Sequence, residues 1–331
     1  MSVAMKAAPM GGESMGWRGV QAALSAGVLG LAGYYMSAGW KSPSVPTRPS
    51  LASMEMAGFV VLLAMVWFSS STAWIIARAT WQETIRKRVL NVILLVGLLL
   101  VGSAQSFSWM SKGEEEKFIR DFGLGAILLV AIIIAIVMTS MMIPQEIERR
   151  TVFTILSKPV DRFQYIFGKF IGTCLTLGTN LFILGIFFCL VYGLKRRGVS
   201  GVDVMGESFK NMQAITMIFF EVTVVAAFCT MVSVLSTSVI FTIACGFFVF
   251  FAGQMSSSFQ HLEEHSEAAW QKAIQAVYLI LPRLDNYDVR EKLIIDEPIF
   301  FNYMWHAIAA GLVYTAAVLV LSRLFFNDRE F

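Results

Sequence analysis

The stretch PQEIERRTVFTILSKPVDRFQYIFGK (residues 144–169) is a charged, amphipathic insert that interrupts a strongly apolar sequence. Before it lies LLVAIIIAIVM (128–138), and another apolar run, 164–194, begins within its last residues. Both runs belong to segments long enough to cross a hydrocarbon core of about 30 Å. The pattern predicts an all-α, polytopic membrane protein. The insert is the place where a partner in the aqueous phase would bind it.

The composition supports a membrane protein and gives no sign of bound nucleic acid, cofactor or metal. Of the 331 residues, 56% are hydrophobic and 15% are charged, whereas about 25% charged residues is usual in soluble domains. The net charge is only +3, so nucleic acid is not an expected partner. Cys174, Cys189, Cys229 and Cys245 all lie in apolar runs without CxxC spacing, so disulfides and zinc sites are not expected. We also expect no bound cofactor.

Eight apolar runs are close to the length of a membrane span. Their approximate limits are 17–38, 54–73, 89–108, 122–143, 164–194, 213–235, 238–254 and 305–326. The polar loop 41–50, which contains prolines, separates the first two runs and favours a helical hairpin. The alternative is a cleaved signal peptide, because Lys6 and Arg18 precede an apolar stretch that ends near the small residues 37–39.

The segment between the second and third runs has the pattern of an amphipathic helix. Its apolar residues recur at helical spacing: Trp74, Ala77, Trp81 and Ile85. The residues off this stripe are polar or basic: Arg78, Gln82, Arg86 and Lys87. Tryptophans beside arginines are typical of a helix in the membrane interface. The alternative is that the second span simply continues as a longer helix.

The insert predicts a short helix that is too charged to span the membrane. Pro144 suits the first turn of a helix, and Glu146 and Glu148 place negative charge near its positive end. Pro159 disfavours the helical conformation at the residue before it, so the helix should end there after about 13 residues. An ordinary interfacial loop helix and a docking element both fit these residues.

Three short motifs in and after the insert resemble the first cytoplasmic loop of ABC-2-type transporter permeases. They are Glu146-x-x-Arg149-x-Thr151, Lys158-Pro159-x-x-Arg162 and Gly168-Lys169. Upstream, IARATWQETIRKRVL (76–90) is similar to the elbow helix of that family. LPRLDNYDV (281–289) resembles an outer loop of some members, and FFNDREF (325–331) resembles their charged tail. The resemblance covers residues 75 to 331 approximately.

The resemblance implies a permease core with an elbow helix, a coupling helix and six spans over 75–331, preceded by an extension (1–74) with two candidate spans. Such a permease forms a homodimer or pairs with a similar permease in the plasma (inner) membrane of a prokaryote, with both termini cytoplasmic. It binds separate ABC ATPase subunits. The residues that the resemblance assigns to ATPase coupling are Glu146, Glu148, Arg149, Arg150, Thr151, Lys158, Pro159 and Arg162.

The chain contains no GxxxxGK[ST] motif, so it should not bind ATP through a P-loop. ATP hydrolysis would then belong to the partner, and the chain itself would not be an enzyme. The expected function is that of a permease subunit of an ATP-driven exporter. The alternative is a membrane scaffold or assembly protein whose insert docks some other partner.

Glu221 is an acid deep within a predicted span, about 12 Å from the start of its helix. Acids at such depth face a bundle interior or a wet pathway, because exposure to lipid costs several kcal/mol. Glu221 and Asn180 are therefore candidates for lining a transport path. The equally weighted alternative is that Glu221 is a structural acid, hydrogen-bonded to a threonine or to Asn180.

One metal-binding pattern is present, but its context does not support it. His261, Glu264 and His265 fit H-x-x-E-H, a zinc peptidase motif. The match is short, and no peptidase domain surrounds it. The neighbouring residues from 260 to 281 have the periodicity of an amphipathic helix, so an intramembrane hydrolase is only a distant third interpretation.

Overall fold

The computed structural model describes residues 72–107, 114–148, 162–196, 204–236, 238–255, 281–294 and 301–327. Within these residues the chain forms eight α-helices and one short 3-10 turn, Asp285–Tyr287. The helices are α1 (Thr72–Ile85), α2 (Arg88–Phe107), α3 (Glu115–Glu148), α4 (Arg162–Arg196), α5 (Val204–Leu235), α6 (Val239–Gln254), α7 (Arg290–Ile294) and α8 (Phe301–Asn327).

The helices α3 to α6 follow one another in antiparallel order. At one end of the α3–α4 pair, the hydroxyl of Thr173 lies 3.5 Å from the sulfur of Met142. At the other end, Arg120 donates to the hydroxyl of Tyr192 at 2.6 Å. Helix α5 ends at Leu235 and α6 begins at Val239, and the Ser238 hydroxyl accepts from the backbone N–H of Phe241 and caps α6.

The core lies between α3, α5 and α8, whose apolar stretches are mostly buried. By contrast, α2 buries only the stripe Leu90, Gly97, Val101 and Ala104. Most of its exposed large side chains are apolar, which suits contact with lipid rather than with water. The bundle therefore has a packed centre and a periphery that only a bilayer would solvate.

Five of the predicted spans form helices long and apolar enough to cross a membrane: α2, α3, α4, α5 and α8. The sixth predicted span of the core, 238–254, forms the shorter apolar helix α6. Its 16 residues have a rise of about 24 Å, less than a hydrocarbon core of about 30 Å. The predicted N-terminal hairpin lies outside the described residues.

The structure differs from the sequence prediction at Pro144. We expected this proline in the first turn of a separate helix, but α3 continues through it to Glu148. A proline inside a helix removes one backbone hydrogen bond, here the one to the carbonyl of Ser140. Helices in membrane bundles tolerate that loss because their neighbours support them. The charged insert therefore begins as the end of a long span.

α1 is a separate helix, divided from α2 by a turn at residues 86–87. Its buried face is made of small residues: Ala73, Ala77, Thr80 and Thr84. Trp74, which we had placed on the apolar stripe, is exposed, and Trp81 donates to the hydroxyl of Thr179 at 3.2 Å. Small residues form this face because α1 approaches α4 very closely, and Trp81 contacts α4 only at the edge of this face.

Candidate functional site

The residues assigned to coupling lie where α3 ends and α4 begins. Glu146 and Glu148 are in the last turn of α3, and Arg162 is the first residue of α4. The others, Arg149, Arg150, Thr151, Lys158 and Pro159, lie outside the described residues. Because α3 and α4 are antiparallel neighbours, the insert joins two adjacent helix ends. A force on the insert would act on both helices together.

The first turns of α4 pack against α1 through the glycine pair that the sequence indicated. A methyl group at Gly168 would lie 2.7 Å from the carbonyl oxygen of Ala73. At Gly172 it would lie 2.7 Å from the carbonyl oxygen of Ala77. Both distances are shorter than any real contact of this kind, so glycine is required at both positions. The GxxxG pattern is therefore a helix–helix contact, as is common in membranes.

Glu221 lies in the middle of α5 with 1% of its surface exposed. Its carboxylate accepts a hydrogen bond from the side-chain amide of Gln254 at 2.6 Å. Asn180, the partner we had suggested, instead donates to the carbonyl of Thr176 in its own helix at 2.8 Å. Glu221 is therefore hydrogen-bonded, as in the second of the two interpretations, but its partner is Gln254 and not Asn180.

The true partner was detectable in the sequence. The α5–α6 turn is centred near residue 237, which is sixteen residues after Glu221 and seventeen before Gln254. An antiparallel hairpin of two helices brings such symmetric positions to the same level. Gln254 is the last residue of α6, so the acid–amide pair lies where α6 ends.

Residues 281–294, which we call the cap segment, pack against the end of α6. The backbone N–H of Leu284 donates to the carbonyl of Gly253 at 3.2 Å. The hydroxyl of Tyr287 donates to the carbonyl of Ala307 in α8 at 2.9 Å. These bonds hold the cap segment against α6 and α8, at the level of the acid–amide pair.

Glycines on three different helices make room for the cap segment. A methyl group at Gly253 in α6 would lie 2.8 Å from Leu284, and one at Gly311 in α8 would overlap the hydroxyl of Tyr287. At Gly125 in α3 the nearest atom would be the Arg290 guanidinium at 3.3 Å. The cap segment is therefore seated in a socket whose walls lack side chains at the points of contact.

Asp288 and Arg290 form a two-bond ion pair within the cap segment. The Arg290 guanidinium donates to the two carboxylate oxygens at 2.9 Å and 2.5 Å. Burial acts to raise the pKa of Asp288, but the hydrogen bonds and charge of Arg290 outweigh it and hold that pKa below its usual value. The hydrogen bond to Asp288 raises the pKa of Arg290, with smaller contributions from the charges of Asp121 and Glu221. Glu221 is thus within electrostatic reach of this ion pair.

A second polar group, the Arg120 cluster, joins four elements of the bundle at the end of α3 opposite the insert. Arg120 has 2% of its surface exposed and contacts Glu116, Glu207 and Tyr192. It also donates to the carbonyl of Leu293 in α7 at 2.9 Å. Sequence reasoning missed this cluster because Arg120 follows a run of charged residues, Glu114 to Lys117, and looked like part of a solvated helix end.

The metal-binding pattern at His261, Glu264 and His265 lies outside the described residues. In the part of the chain that the structure describes, no three histidine, cysteine or acidic side chains come close enough to hold a metal ion. The polar groups found here are instead paired acids, amides and cations.

A sequence model described as ABC-2 family transporter protein matches residues 74–331. The chain belongs to the ABC-2 transporter family. A search of curated proteins finds no match. The resemblance drawn from the insert, the elbow segment and the tail is therefore confirmed, and the matched region contains all the helices described above except the first two residues of α1.

As an ABC-2 family member, the protein is a multi-pass membrane permease of an ABC-type transporter. Permeases of this family pair with an ABC ATPase. The residues that the family model matches include the insert, the acid–amide pair, the cap segment and the Arg120 cluster. Family membership does not identify the substrate.

Proposed function

We propose that this ABC-2 permease is the membrane subunit of an exporter driven by a separate ABC ATPase that docks on the insert. The observation that carries the proposal is the position of the insert between the adjacent ends of α3 and α4, which are antiparallel and packed together. Both helices run about 50 Å to the Arg120 cluster at their other ends. Movement of the docked ATPase would therefore be passed along two long, paired helices.

The chain would contribute no ATP chemistry of its own. Its sequence lacks GxxxxGK[ST], the loop that holds the phosphates of ATP in P-loop ATPases. ATP binding and hydrolysis would belong to the partner, and the permease would work as a homodimer or beside a similar permease. We place it in the inner membrane of a prokaryote, with both termini and the insert in the cytoplasm.

Within this mechanism, Glu221 is a lining residue of the transport path, with Asn180 on the neighbouring helix. The Glu221 carboxylate contacts the last residue of α6 and lies beside the cap segment, and this position supports the role. A conformational change that separates α6 from the cap segment would expose the carboxylate. No covalent step is needed, because transport requires only alternating exposure of the path.

The test of ATPase docking is co-purification of the chain with its partner ABC ATPase from the cells that produce both. We expect the wild-type chain to retain the ATPase, and the Arg149→Glu/Arg150→Glu variant to retain much less, because the charges of two adjacent arginines of the insert are reversed. The matched control is Lys117→Glu/Lys195→Glu, which makes the same charge change at the other end of the bundle. Equal retention by wild type and the insert variant would refute docking through the insert and favour the scaffold alternative.

A further inference from the structure

We propose that the basic surface where α1 meets α2 binds an anionic phospholipid. Arg78, Arg86 and Arg88 are all exposed there, and none of them takes part in an ion pair of the described residues. The neighbouring Lys87 is paired with Glu83 at 3.3 Å, so these two charges compensate each other. The surface therefore carries three positive charges that no carboxylate of the described protein neutralises.

A wide apolar face begins immediately after these arginines. On α2 the exposed side chains that follow Arg88, up to residue 99, are aliphatic except for Asn91: Val89, Val92, Leu95, Val96 and Leu99. A helix of 20 residues is about 30 Å long, so α2 needs its whole length to cross the hydrocarbon core. That requirement places Arg88, its first residue, at the level of the lipid phosphates.

The combination of charge and apolar surface is what selects a phospholipid as the occupant. A soluble anion would use the arginines but would leave the valines and leucines of α2 uncovered. A lipid covers both, with its phosphate on the guanidinium groups and its acyl chains along α2. Arginine suits the first contact because its planar fork donates two hydrogen bonds to one phosphate. The exposed Trp74, on the same helix as Arg78, adds an interfacial anchor.

A net negative headgroup should be preferred over a zwitterionic one. Each Lys or Arg close to an anionic membrane strengthens its attraction by roughly fivefold. Removing Arg86 and Arg88 should therefore abolish most of the preference. The attraction should also weaken as salt rises, because these charges are exposed and are screened within about 10 Å at 0.1 M.

The experiment uses the full chain in nanodiscs that contain equal amounts of phosphatidylglycerol and phosphatidylcholine. Benzoylphenylalanine in place of Val92, whose side chain is 61% exposed, would be photo-crosslinked to the lipid beside it. Mass spectrometry then gives the ratio of the two crosslinked lipids. We expect phosphatidylglycerol to be enriched several-fold, and the ratio to fall to about one in the Arg86→Gln/Arg88→Gln variant. The Arg86→Lys/Arg88→Lys variant should keep the enrichment.

The control Lys117→Gln/Lys195→Gln removes two positive charges at the opposite end of α3 and α4, and it should leave the ratio unchanged. If the Gln variant does not fold, the wild type in 1 M NaCl replaces it, and its ratio should fall towards one. An equal ratio in wild type and the Gln variant would overturn the proposal. An equal loss of phosphatidylglycerol enrichment in the control would also overturn it, because that result would indicate a general effect of net charge. Displacement of the lipid by glycerol 3-phosphate would overturn it as well, because that result would indicate a site for soluble phosphate.

Discussion

At the residue scale, Glu221 and Gln254 should depend on each other. Glu221→Gln keeps the size of the side chain and an oxygen that accepts from Gln254, so the variant should fold and assemble with the ATPase. Glu221→Leu removes the acceptor and leaves the Gln254 amide without its partner, which should cost about 1–3 kcal/mol. Thermal unfolding in detergent measures the stability, and ATP turnover of the assembled complex measures the activity.

The combination of these two readouts separates the two roles of Glu221. If Glu221 lines the path, the Gln variant should be stable but altered in transport or in substrate-stimulated turnover. The double variant Glu221→Leu/Gln254→Leu is the control, since it removes donor and acceptor together and should recover part of the lost stability. Normal transport by the Gln variant beside failed assembly of the Leu variant would make Glu221 a purely structural residue.

Among the cations of the described residues, Arg120 should be the one whose substitution lowers the stability of the protein most. Arg120→Gln leaves Glu116 and Glu207 without their buried partner and should cost about 3–5 kcal/mol, as breaking buried ion pairs does. The matched control is Lys117→Gln, since Lys117 pairs with Glu114 on the exposed surface of the same helix and should cost less than about 1 kcal/mol. Equal unfolding temperatures of the two variants would contradict a structural role for the Arg120 cluster.

The sequence predicted the environment of a single residue correctly where the residues around it in the chain were sufficient to define that environment. The burial of Glu221 followed from the cost of a charge in hydrocarbon. The role of Arg120 did not, because its partners come from three other helices and its neighbours in sequence are exposed charges. The identity of Gln254 required the level of two helices on either side of a turn, which composition and periodicity alone do not give.

At the element scale, the contact of α1 with α4 should depend on glycine. Gly172→Ala places a methyl group 2.7 Å from the carbonyl oxygen of Ala77, so α1 must move away, at a cost of about 1–3 kcal/mol. Gly178→Ala is the control on the same helix, since its methyl group would meet Phe219 at an ordinary 3.6 Å. That variant should be neutral or more stable, because alanine favours a helix over glycine by about 1 kcal/mol. Equal melting temperatures would contradict the close approach of α1.

The socket of the cap segment gives a second prediction for elements. Gly311→Ala would overlap the hydroxyl of Tyr287, so the cap segment should be displaced and its amides should exchange hydrogen faster. Gly125→Ala meets only the flexible end of Arg290 at 3.3 Å and should change exchange little. Hydrogen–deuterium exchange of residues 284–293 measures both. Unchanged exchange in the Gly311 variant would contradict a tightly seated cap segment.

Elements were predicted well where apolar length alone defines them, as for α2, α3, α4, α5 and α8. One boundary was wrong, because Pro144 was expected to begin a helix and instead lies inside α3. Tertiary contacts outweighed the local preference there, since neighbouring helices support α3 through its proline.

At the scale of the whole molecule, the insert, the long pair α3–α4 and the Arg120 cluster form one connected path through the bundle. The insert joins the two helices at one end, and Arg120 ties their other ends to α5 and α7. The acid–amide pair and the cap segment lie beside this series of mechanical contacts, which is distinct from the transport path. A push on the insert should therefore change the contact between α6 and the cap segment, which is the mechanical core of the proposed transport function.

The most direct test of this account is the ATP turnover of the partner ABC ATPase, reconstituted in vesicles with and without this chain. The account predicts no hydrolysis by the chain alone and a marked change in the turnover of the ATPase on assembly. It also predicts that this change is lost in the Arg149→Glu/Arg150→Glu variant and kept in the Lys117→Glu/Lys195→Glu control. ATP hydrolysis by the chain alone, or equal turnover with the wild-type and insert variants, would contradict a permease driven through the insert.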